Sequence, residues 1–438
     1  MTQDFSMTRR QFVKGSLFLG AGLTLAGCAV NPVTGINQFM MVTPDQEIAM
    51  DRSQSPHQFS TDYGSVQDRS VNAYVTEVGR KLSLLTHRPQ MPYSFRCVNA
   101  TYINAYAFPG GSIAVTRGIL LKLSNEAELA ALLGHELGHV NARHSAQQIS
   151  KSTLSSIFIS GVAMAIGTRS QGLGDVAQQI GMLGQGALLA RYSRDNEREA
   201  DALGNEYMVK AGYSSMGFVG LMGVLNSLNK NRASPADILF STHPMSDERY
   251  DTAVAKSRNP YGYSSEFPLN SERYMDNIAP VRAAKDVIEA LQDGDKYMAK
   301  KEYHNAQSQF ERAVKLSPQD YAAHVMLAKC MLETQNFQKA ATHADLGTTL
   351  YPDEPQAQYV AGFAHMSLKQ FDRAFNRFDR YGKLLPGNPG TLFFKGYCQE
   401  GMNHVSTAAG FYKQYLTEVQ QGEYARHAHG RLKQWGYI

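Results

Sequence analysis

Apolar residues recur every three or four positions from residue 126 to residue 140, which predicts a helix with one buried face. The spacing is carried by Leu129, Leu132, Leu133, Leu137 and Val140. Asn125 is placed to cap its N-terminus, with Glu128 at the third helical position as in a capping box. Gly138 costs this helix about 1 kcal/mol relative to alanine, so we expect another segment to pack closely against it.

A strand pattern precedes this helix. Residues Ser112 to Thr116 alternate in polarity and are rich in β-branched side chains, and Pro109, Gly110 and Gly111 break the chain before them. We expect an edge strand, which could bind an extended peptide through main-chain hydrogen bonds that are indifferent to side-chain identity. A hairpin that only covers the core is the alternative.

From about residue 287 the chain repeats with a period of 34 residues. Three sets of positions fall in register: Tyr303, Phe337, Phe371 and Val405; Ala306, Ala340, Ala374 and Ala408; Phe310, Ala344, Phe378 and Tyr412. Prolines close three units, and Gln420 stands where the fourth proline belongs. The pattern resembles four tetratricopeptide repeats, with residues 423–436 as a cap. Such helix pairs stack into a curved array that binds peptides or partner proteins, or serves as a passive spacer.

Composition sets limits on the domain plan and the partners. A chain of 438 residues exceeds one typical domain, and 43% hydrophobic residues suffice for two cores. A formal charge of +4 without a basic run among aromatics gives no indication of nucleic-acid binding. We expect a domain at 28–257, a linker at 258–286 and the repeats at 287–438. Within the first domain, residues 152–189 are rich in Gly, Ala, Ser and Met and are interpreted as close-packed helices or a mobile lid.

The N-terminus carries export signals. Residues 8–14, with Arg9 and Arg10, resemble a twin-arginine signal, although general secretory export stays open. The apolar stretch 15–27 is too short for the ~20 residues of a membrane span. Residues 25–28, Leu-Ala-Gly-Cys, resemble a lipoprotein cleavage site, which makes 1–27 a signal peptide and Cys28 the lipidated first residue; a short uncleaved anchor is the alternative. Ala29 is not the aspartate that retains lipoproteins at the inner membrane, so we expect an outer-membrane anchor facing the periplasm.

The remaining cysteines, Cys97, Cys330 and Cys398, are odd in number and lack metal-ligand spacing, so we expect free buried thiols.

The predicted helix 126–140 carries the candidate chemistry. His135 and His139, four residues apart, reach the same side of a helix and can hold one metal ion. Imidazole nitrogen suits zinc, and three protein ligands leave a fourth position for water, whose pKa zinc lowers to about 7. Glu136 would take the proton of that water as it attacks a carbonyl group.

A third ligand is sought among the few acids that follow. If residues 194–201 are helical, Glu197 and Asp201 lie on one face and Glu199 on another. One carboxylate could bind the metal while another accepts a hydrogen bond from a ligand histidine, a role for which Asp201 is placed. An acidic, solvated helix is the alternative.

His135 to His139 followed by Glu197 to Asp201 resembles metallopeptidase family forty-eight, the HtpX, CAAX prenyl and Oma-type zinc endopeptidases. Asn104-Ala105-Tyr106-Ala107-Phe108-Pro109-Gly110-Gly111 resembles the strand segment that precedes the zinc helix in this family. The similarity covers residues 30 to 260 and implies a zincin-like fold. It makes His135, His139 and Glu197 ligands of one zinc ion per chain, Glu136 the general base and Asp201 an outer partner of a ligand histidine.

Two further histidines bear on this site. His243 lies in a segment that also resembles the family, and it could stabilise an oxyanion, occupy the open zinc position in an inactive state, or serve only as a structural hydrogen-bonding group. His144 lies nine residues after His135, and we expect it to serve in packing or at the surface.

The sequence therefore predicts a mostly α protein: an α+β zincin-like metalloprotease domain with a small sheet, followed by an all-α tetratricopeptide solenoid. Its predicted function is a lipid-anchored periplasmic zinc endopeptidase that cleaves unfolded or misassembled outer-membrane proteins. The repeats would recruit protein substrates or dock on an outer-membrane assembly partner. The alternative is a chaperone or scaffold lipoprotein whose metal site is structural or vestigial.

Overall fold

The computed structural model describes residues 28–151, 192–230 and 234–438. The predicted signal peptide and the predicted lid at 152–189 lie outside these ranges. No helix within them combines the length and the apolar character needed to cross a membrane.

The first domain combines short strands with helices and holds the following elements: β1 Cys28–Val30, β2 Asn37–Phe39, α1 Pro44–Thr61, α2 Arg69–Ser83, β3 Ser94–Val98, β4 Ala105–Ala107, β5 Ser112–Thr116, α3 Arg117–Leu120, α4 Glu126–Asn141, α5 Arg194–Lys210, α6 Met216–Lys230, α7 Asp237–Thr242 and α8 Asp247–Arg258. The predicted helix 126–140 is confirmed as α4. Asn125 caps it by accepting a hydrogen bond from the Glu128 backbone N–H at 2.9 Å.

The main sheet has the strand order β3-β5-β4, with β3 parallel and β4 antiparallel to β5. The prediction that residues 112–116 form an edge strand was therefore wrong. Four of the five residues of β5 are buried, as in a central strand covered on both faces. The local pattern could not show that β3, from a separate segment, pairs with it. Strand β4 lies at one edge of the sheet, and in the described residues its only strand partner is β5.

The segment 258–286, predicted as a linker, is folded against the first domain. It forms α9 Ser271–Asn277 and α10 Ala279–Ala283, and its side chains Tyr274, Ile278 and Val281 join the main core. The Tyr274 hydroxyl donates to the Leu120 carbonyl oxygen at 2.7 Å. The prolines of this segment lie at helix starts and turns, not in a flexible linker.

The repeat region is an all-α array, which confirms the predicted fold class. The four helix pairs and the cap are α11 Lys285–Ala299, α12 Tyr303–Leu316, α13 Tyr321–Glu333, α14 Phe337–Leu350, α15 Pro355–Ser367, α16 Phe371–Leu384, α17 Pro389–Gly401, α18 Val405–Glu418 and α19 Glu423–Gln434. Helices α12, α14, α16 and α18 begin 34 residues apart, as the period predicts. Their buried faces form one continuous core.

The array packs directly against the first domain. Arg117, at the start of α3, is buried and forms a 2.6 Å ion pair with Asp320, which caps the N-terminus of α13 and whose side chain is 9% exposed. The Gln292 amide donates to the Thr101 carbonyl oxygen at 2.6 Å, and the Gln67 amide donates to the Leu350 carbonyl oxygen at 2.8 Å. These polar contacts hold the repeats against the first domain.

Candidate metal centre

Helices α4 and α5 bring the predicted donors together because small residues let their backbones approach. A Cβ atom added at Gly138 would lie 2.8 Å from the Ala200 carbonyl oxygen, and one added at Gly204 would lie 2.7 Å from the His135 backbone nitrogen. The close packing expected at Gly138 is thus supplied by α5. Glu197, one turn into α5, is carried to the face of α4 that holds both histidines.

Four buried side chains converge on one point: His135, His139, Glu197 and His243. The Nε2 atoms of His135 and His139 lie 3.0 Å apart. Glu197 Oε1 lies 3.3 Å from His139 Nε2, and Glu197 Oε2 lies 3.6 Å from His135 Nε2. One donor atom from each of the four residues lies within 4.8 Å of the others.

This donor set fits a zinc ion. Zn–N and Zn–O distances of about 2.0–2.1 Å place the donors of a tetrahedral site roughly 3.3–3.4 Å apart, and the spacings observed here scatter around that value. Two imidazole nitrogens and a carboxylate are ligands that zinc favours. Burial is the main cause that lowers the pKa of His139 well below its usual value, which keeps its imidazole neutral, as a metal ligand must be.

His243 occupies the fourth corner of the cluster. It ends α7, and its Nδ1 lies 3.1 Å from Glu197 Oε1 and 3.4 Å from His135 Nε2. Burial acts to lower the pKa of His243, but Glu197 and Glu136 together outweigh it and raise the pKa. With this ring in place, all four positions of a tetrahedral site would have a protein donor, which is the arrangement of a closed site.

Glu136 lies beside the cluster without a direct bond to its centre. Its side chain is buried, Oε1 lies 3.9 Å from His243 Nε2, and Oε2 has no hydrogen-bond partner among residues 28–151, 192–230 and 234–438. Burial raises the pKa of Glu136, and His243 and His135 oppose that rise. A carboxylate with a raised pKa and a free oxygen suits a general base, because proton transfer works best when the pKa lies near the working pH.

His135 is oriented by a carboxylate. Its Nδ1 lies 2.9 Å from Asp201 Oδ1, so Nε2 is left facing the cluster. Arg249 holds both Asp201 oxygens, at 2.7 Å each, and its NH1 lies 2.8 Å from Glu197 Oε2. Asp201 therefore lies where an outer partner of a ligand histidine belongs. Arg249 supports both acids, a role that no sequence pattern indicated.

His139 is oriented by a longer chain. Its Nδ1 lies 2.9 Å from His144 Nδ1, and His144 Nε2 lies 3.1 Å from Glu199 Oε2. The expectation that His144 serves only in packing or at the surface was therefore wrong. It assumed one continuous helix, but α4 ends at Asn141 and Arg143 takes a left-handed φ of 61°, which swings His144 back toward His139.

Tyr192 is a further residue that the sequence did not indicate. Its ring stacks on that of His139 with centroids 3.8 Å apart, and its hydroxyl is 3.0 Å from Ser145 Oγ. Its backbone N–H donates to the Thr242 carbonyl oxygen at 3.1 Å, next to His243. Tyr192 therefore links His139 to the segment that carries His243.

The family resemblance also makes Asn104, Ala105, Tyr106, Gly110 and Gly111 candidate substrate-binding residues, and the structure places them in and around β4. Ala105 joins the main core with the leucines of α4. Tyr106, on the opposite face, packs with Phe59 and Phe108, and Asn104 is fully buried. Gly111 has a φ of 103°, and a Cβ at Gly110 would lie 2.5 Å from Asp51, so both positions require glycine in the turn that leads to β5. Among the described residues, no strand pairs with the backbone of β4 on the side away from β5.

Two parts of the chain match known protein families. Residues 69–256 match the model of peptidase family M48, and residues 297–362 match a tetratricopeptide repeat.

Three relatives show the extent of the similarity. The putative beta-barrel assembly-enhancing protease of Vibrio cholerae is 28% identical over 199 residues, 44% of this chain and 40% of the relative. The metalloprotease YcaL of Escherichia coli is 34% identical over 158 residues, 36% of this chain and 59% of the relative. The beta-barrel assembly-enhancing protease of Yersinia pestis is 25% identical over 227 residues, 51% of this chain and 46% of the relative. The chain spans about half the length of the curated relatives it matches.

Proposed function

From a chain that contains a peptidase M48 domain and tetratricopeptide repeats, we propose a zinc-dependent endopeptidase. The observation that carries the proposal is the convergence of His135, His139 and Glu197 from two helices, with the unpartnered carboxylate oxygen of Glu136 beside them. A structural site needs no base at its edge, whereas hydrolysis does. Zinc, when bound, would acidify a water molecule and polarise a peptide carbonyl group.

The chain's own residues divide the remaining work. Glu136 would take a proton from the attacking water and later deliver it to the leaving amine. Asp201, held by Arg249, and the chain from His139 through His144 to Glu199 would keep both imidazoles in the tautomer that directs Nε2 inward. The open backbone edge of β4 would hold an extended substrate by main-chain hydrogen bonds, so unfolded segments are the substrates that fit.

The base is tested by Glu136→Gln. This variant should retain one zinc ion per chain by elemental analysis and lose peptide cleavage by at least about 100-fold, because amide nitrogen cannot accept the proton. Glu206→Gln, a matched change at a more exposed position of α5, should keep full activity. Cleavage retained in purified Glu136→Gln protein would remove Glu136 as the base.

We propose that His243 keeps the resting site closed. With its imidazole at the fourth corner, water has no open position, so α7 must shift before catalysis. His243→Ala should then raise the basal rate of cleavage. An oxyanion role predicts the reverse, a loss of roughly 100-fold in kcat with little change in KM. Basal rates of the two proteins, measured with the same unfolded substrate, separate these roles.

We further propose a periplasmic location, a lipid anchor at Cys28 and misassembled outer-membrane proteins as substrates, with the repeats recruiting substrate or an assembly partner. The resemblance of residues 25–28 to a lipoprotein cleavage site and the names of the relatives support this. Metabolic labelling with a fatty acid should mark the wild type and not Cys28→Ser. Photo-crosslinking from Ala107 in the Glu136→Gln background should capture the substrate.

The closed arrangement of four donors also favours a second candidate, a scaffold whose metal site is structural. In that case Glu136→Gln should restore growth of a deletion strain as well as the wild type does. Failure of Glu136→Gln to complement, with the protein present at normal abundance, would favour the endopeptidase.

A further inference from the structure

The segment that follows Cys28 forms a hairpin with one inward and one outward face. Strands β1 and β2 pair so that Cys28 lies opposite Phe39 and Val30 lies opposite Asn37. From residue 37 to residue 42 exposure alternates: Phe39 and Met41 are exposed, whereas Met40 and Val42 are buried. This period of two means that neighbouring side chains point to opposite faces.

The inward face of the hairpin packs against the first domain. Met40 and Val42 form a small core with Ala146, against which Ala29 and Ile149 pack. The Met41 backbone N–H donates to Ser150 Oγ at 2.9 Å, so the hairpin is fixed and its outward face is set.

Apart from Asn37, the outward face carries large apolar side chains, although solvent exposure would favour polar ones. Val30, Phe39 and Met41 on this face are 58%, 40% and 39% exposed, and Ile36, in the connection between the two strands, is 67% exposed. No charged residue occurs from Cys28 to Pro44. Four large apolar side chains exposed within a dozen residues form a patch of the kind that marks a protein or membrane contact.

The position of the patch in the chain indicates which contact it makes. Val30 lies two residues after the cysteine of the predicted lipoprotein site, and n residues of chain span at most about 3.6 Å × n. A lipid on Cys28 would therefore hold the hairpin within several ångströms of the bilayer surface. Such a surface accepts apolar side chains and penalises charge, which matches the composition of the patch.

We propose that the outward face of the β1–β2 hairpin inserts into the interfacial layer of a lipid bilayer, as a second contact beside the lipid at Cys28. The inference rests on the proposed lipid anchor. Two contacts, rather than one flexible tether, would fix the orientation of the domain, and with it the direction in which the edge of β4 faces.

The test separates the hairpin from the natural anchor. The chain from residue 28, with Cys28→Ser and an N-terminal histidine tag, is held on vesicles of phosphatidylethanolamine, phosphatidylglycerol and a nickel-chelating lipid. Phe39→Trp reports insertion through quenching by acyl-chain-brominated lipid. Trp435, the single native tryptophan, gives the background in the parent protein. Leu346→Trp is the matched control, because Leu346, in the repeats, is 39% exposed and Phe39 is 40% exposed.

We expect brominated lipid to quench the tryptophan introduced by Phe39→Trp and to leave the one introduced by Leu346→Trp unquenched. Without the tag, Val30→Ser/Ile36→Ser/Phe39→Ser should lower vesicle partitioning by more than about tenfold, because the apolar side chains no longer leave water. Leu316→Ser/Leu346→Ser should not lower it. Equal quenching at positions 39 and 346, or a triple variant that changes only self-association in sedimentation, would overturn the inference. Failed fatty-acid labelling of Cys28 would instead count against the anchor.

Discussion

At the scale of single residues, the two helix histidines of the candidate metal centre are supported in different ways. His135 meets a carboxylate directly, and that carboxylate is clamped by Arg249. His139 reaches its carboxylate, Glu199, only through a second imidazole. For His139 to present Nε2 to a metal, its Nδ1 must carry the proton and His144 Nδ1 must accept it. The remaining proton of His144 then sits on Nε2 and is donated to Glu199.

The hydrogen bonds from His139 through His144 to Glu199 predict that His144→Ala weakens zinc binding although His144 is not itself a ligand. We expect a loss of about 10- to 100-fold in zinc affinity, measured by competition with a chromogenic chelator. His144→Gln, whose amide oxygen can accept the bond from His139, should recover part of that loss. Unfolding of the metal-free proteins should be similar. A destabilised metal-free variant with unchanged zinc affinity would contradict the positioning role.

At the scale of helices and strands, the site depends on how closely α4 and α5 pack. Glycine at positions 134, 138 and 204 lets the two backbones touch. The sequence predicted α4, its cap and the need for a close neighbour at Gly138, because these follow from local spacing. It could not predict that β5 is central or that α4 stops at Asn141. Strand partners and a single left-handed residue at Arg143 depend on contacts distant in the chain.

Gly138→Ala should therefore destabilise the protein although alanine favours helices. The added methyl group would lie 2.8 Å from the Ala200 carbonyl oxygen, and overpacking of this kind costs about 1–3 kcal/mol. The variant should also bind zinc less tightly, since Glu197 moves with α5. Gly410→Ala in α18 is the control: nothing lies within 4 Å of its Cβ position, so it should stabilise by about 0.5–1 kcal/mol. Denaturant unfolding midpoints measure both changes.

At the scale of the whole molecule, buried acidic side chains lie at the contact between the repeats and the first domain. Asp62, at the end of α1, accepts hydrogen bonds from Tyr102 at 2.9 Å and Tyr106 at 2.5 Å, so it touches the edge strand β4. Glu354, which caps α15, lies against Gly64 from the other side. Burial raises the pKa of Asp62 to about 6 and that of Glu354 to about 7. The sequence showed both domains but not the acids that lie between them.

Glu354→Gln should change how stability depends on pH. A carboxyl group with a pKa raised by folding contributes stability below its unfolded pKa of 4.5, and that stability is lost as pH rises through about 7. Because glutamine does not titrate, the stability of Glu354→Gln relative to wild type should rise across this window. Asp353→Asn, at the exposed neighbouring position, should give a profile parallel to wild type. Melting temperatures across the pH range provide the measurement, and parallel profiles for both variants would refute the prediction.

The ion pair between Arg117 and Asp320 limits which repeat arrays could be joined to the first domain. Repeat arrays are readily exchanged among proteins when each stands alone on a flexible tether. Here a foreign array docked at the same place would leave the Arg117 guanidinium buried without its counter-charge, at a cost of several kcal/mol. A viable chimera would have to inherit both residues together, so the two halves of this chain are expected to evolve as one unit.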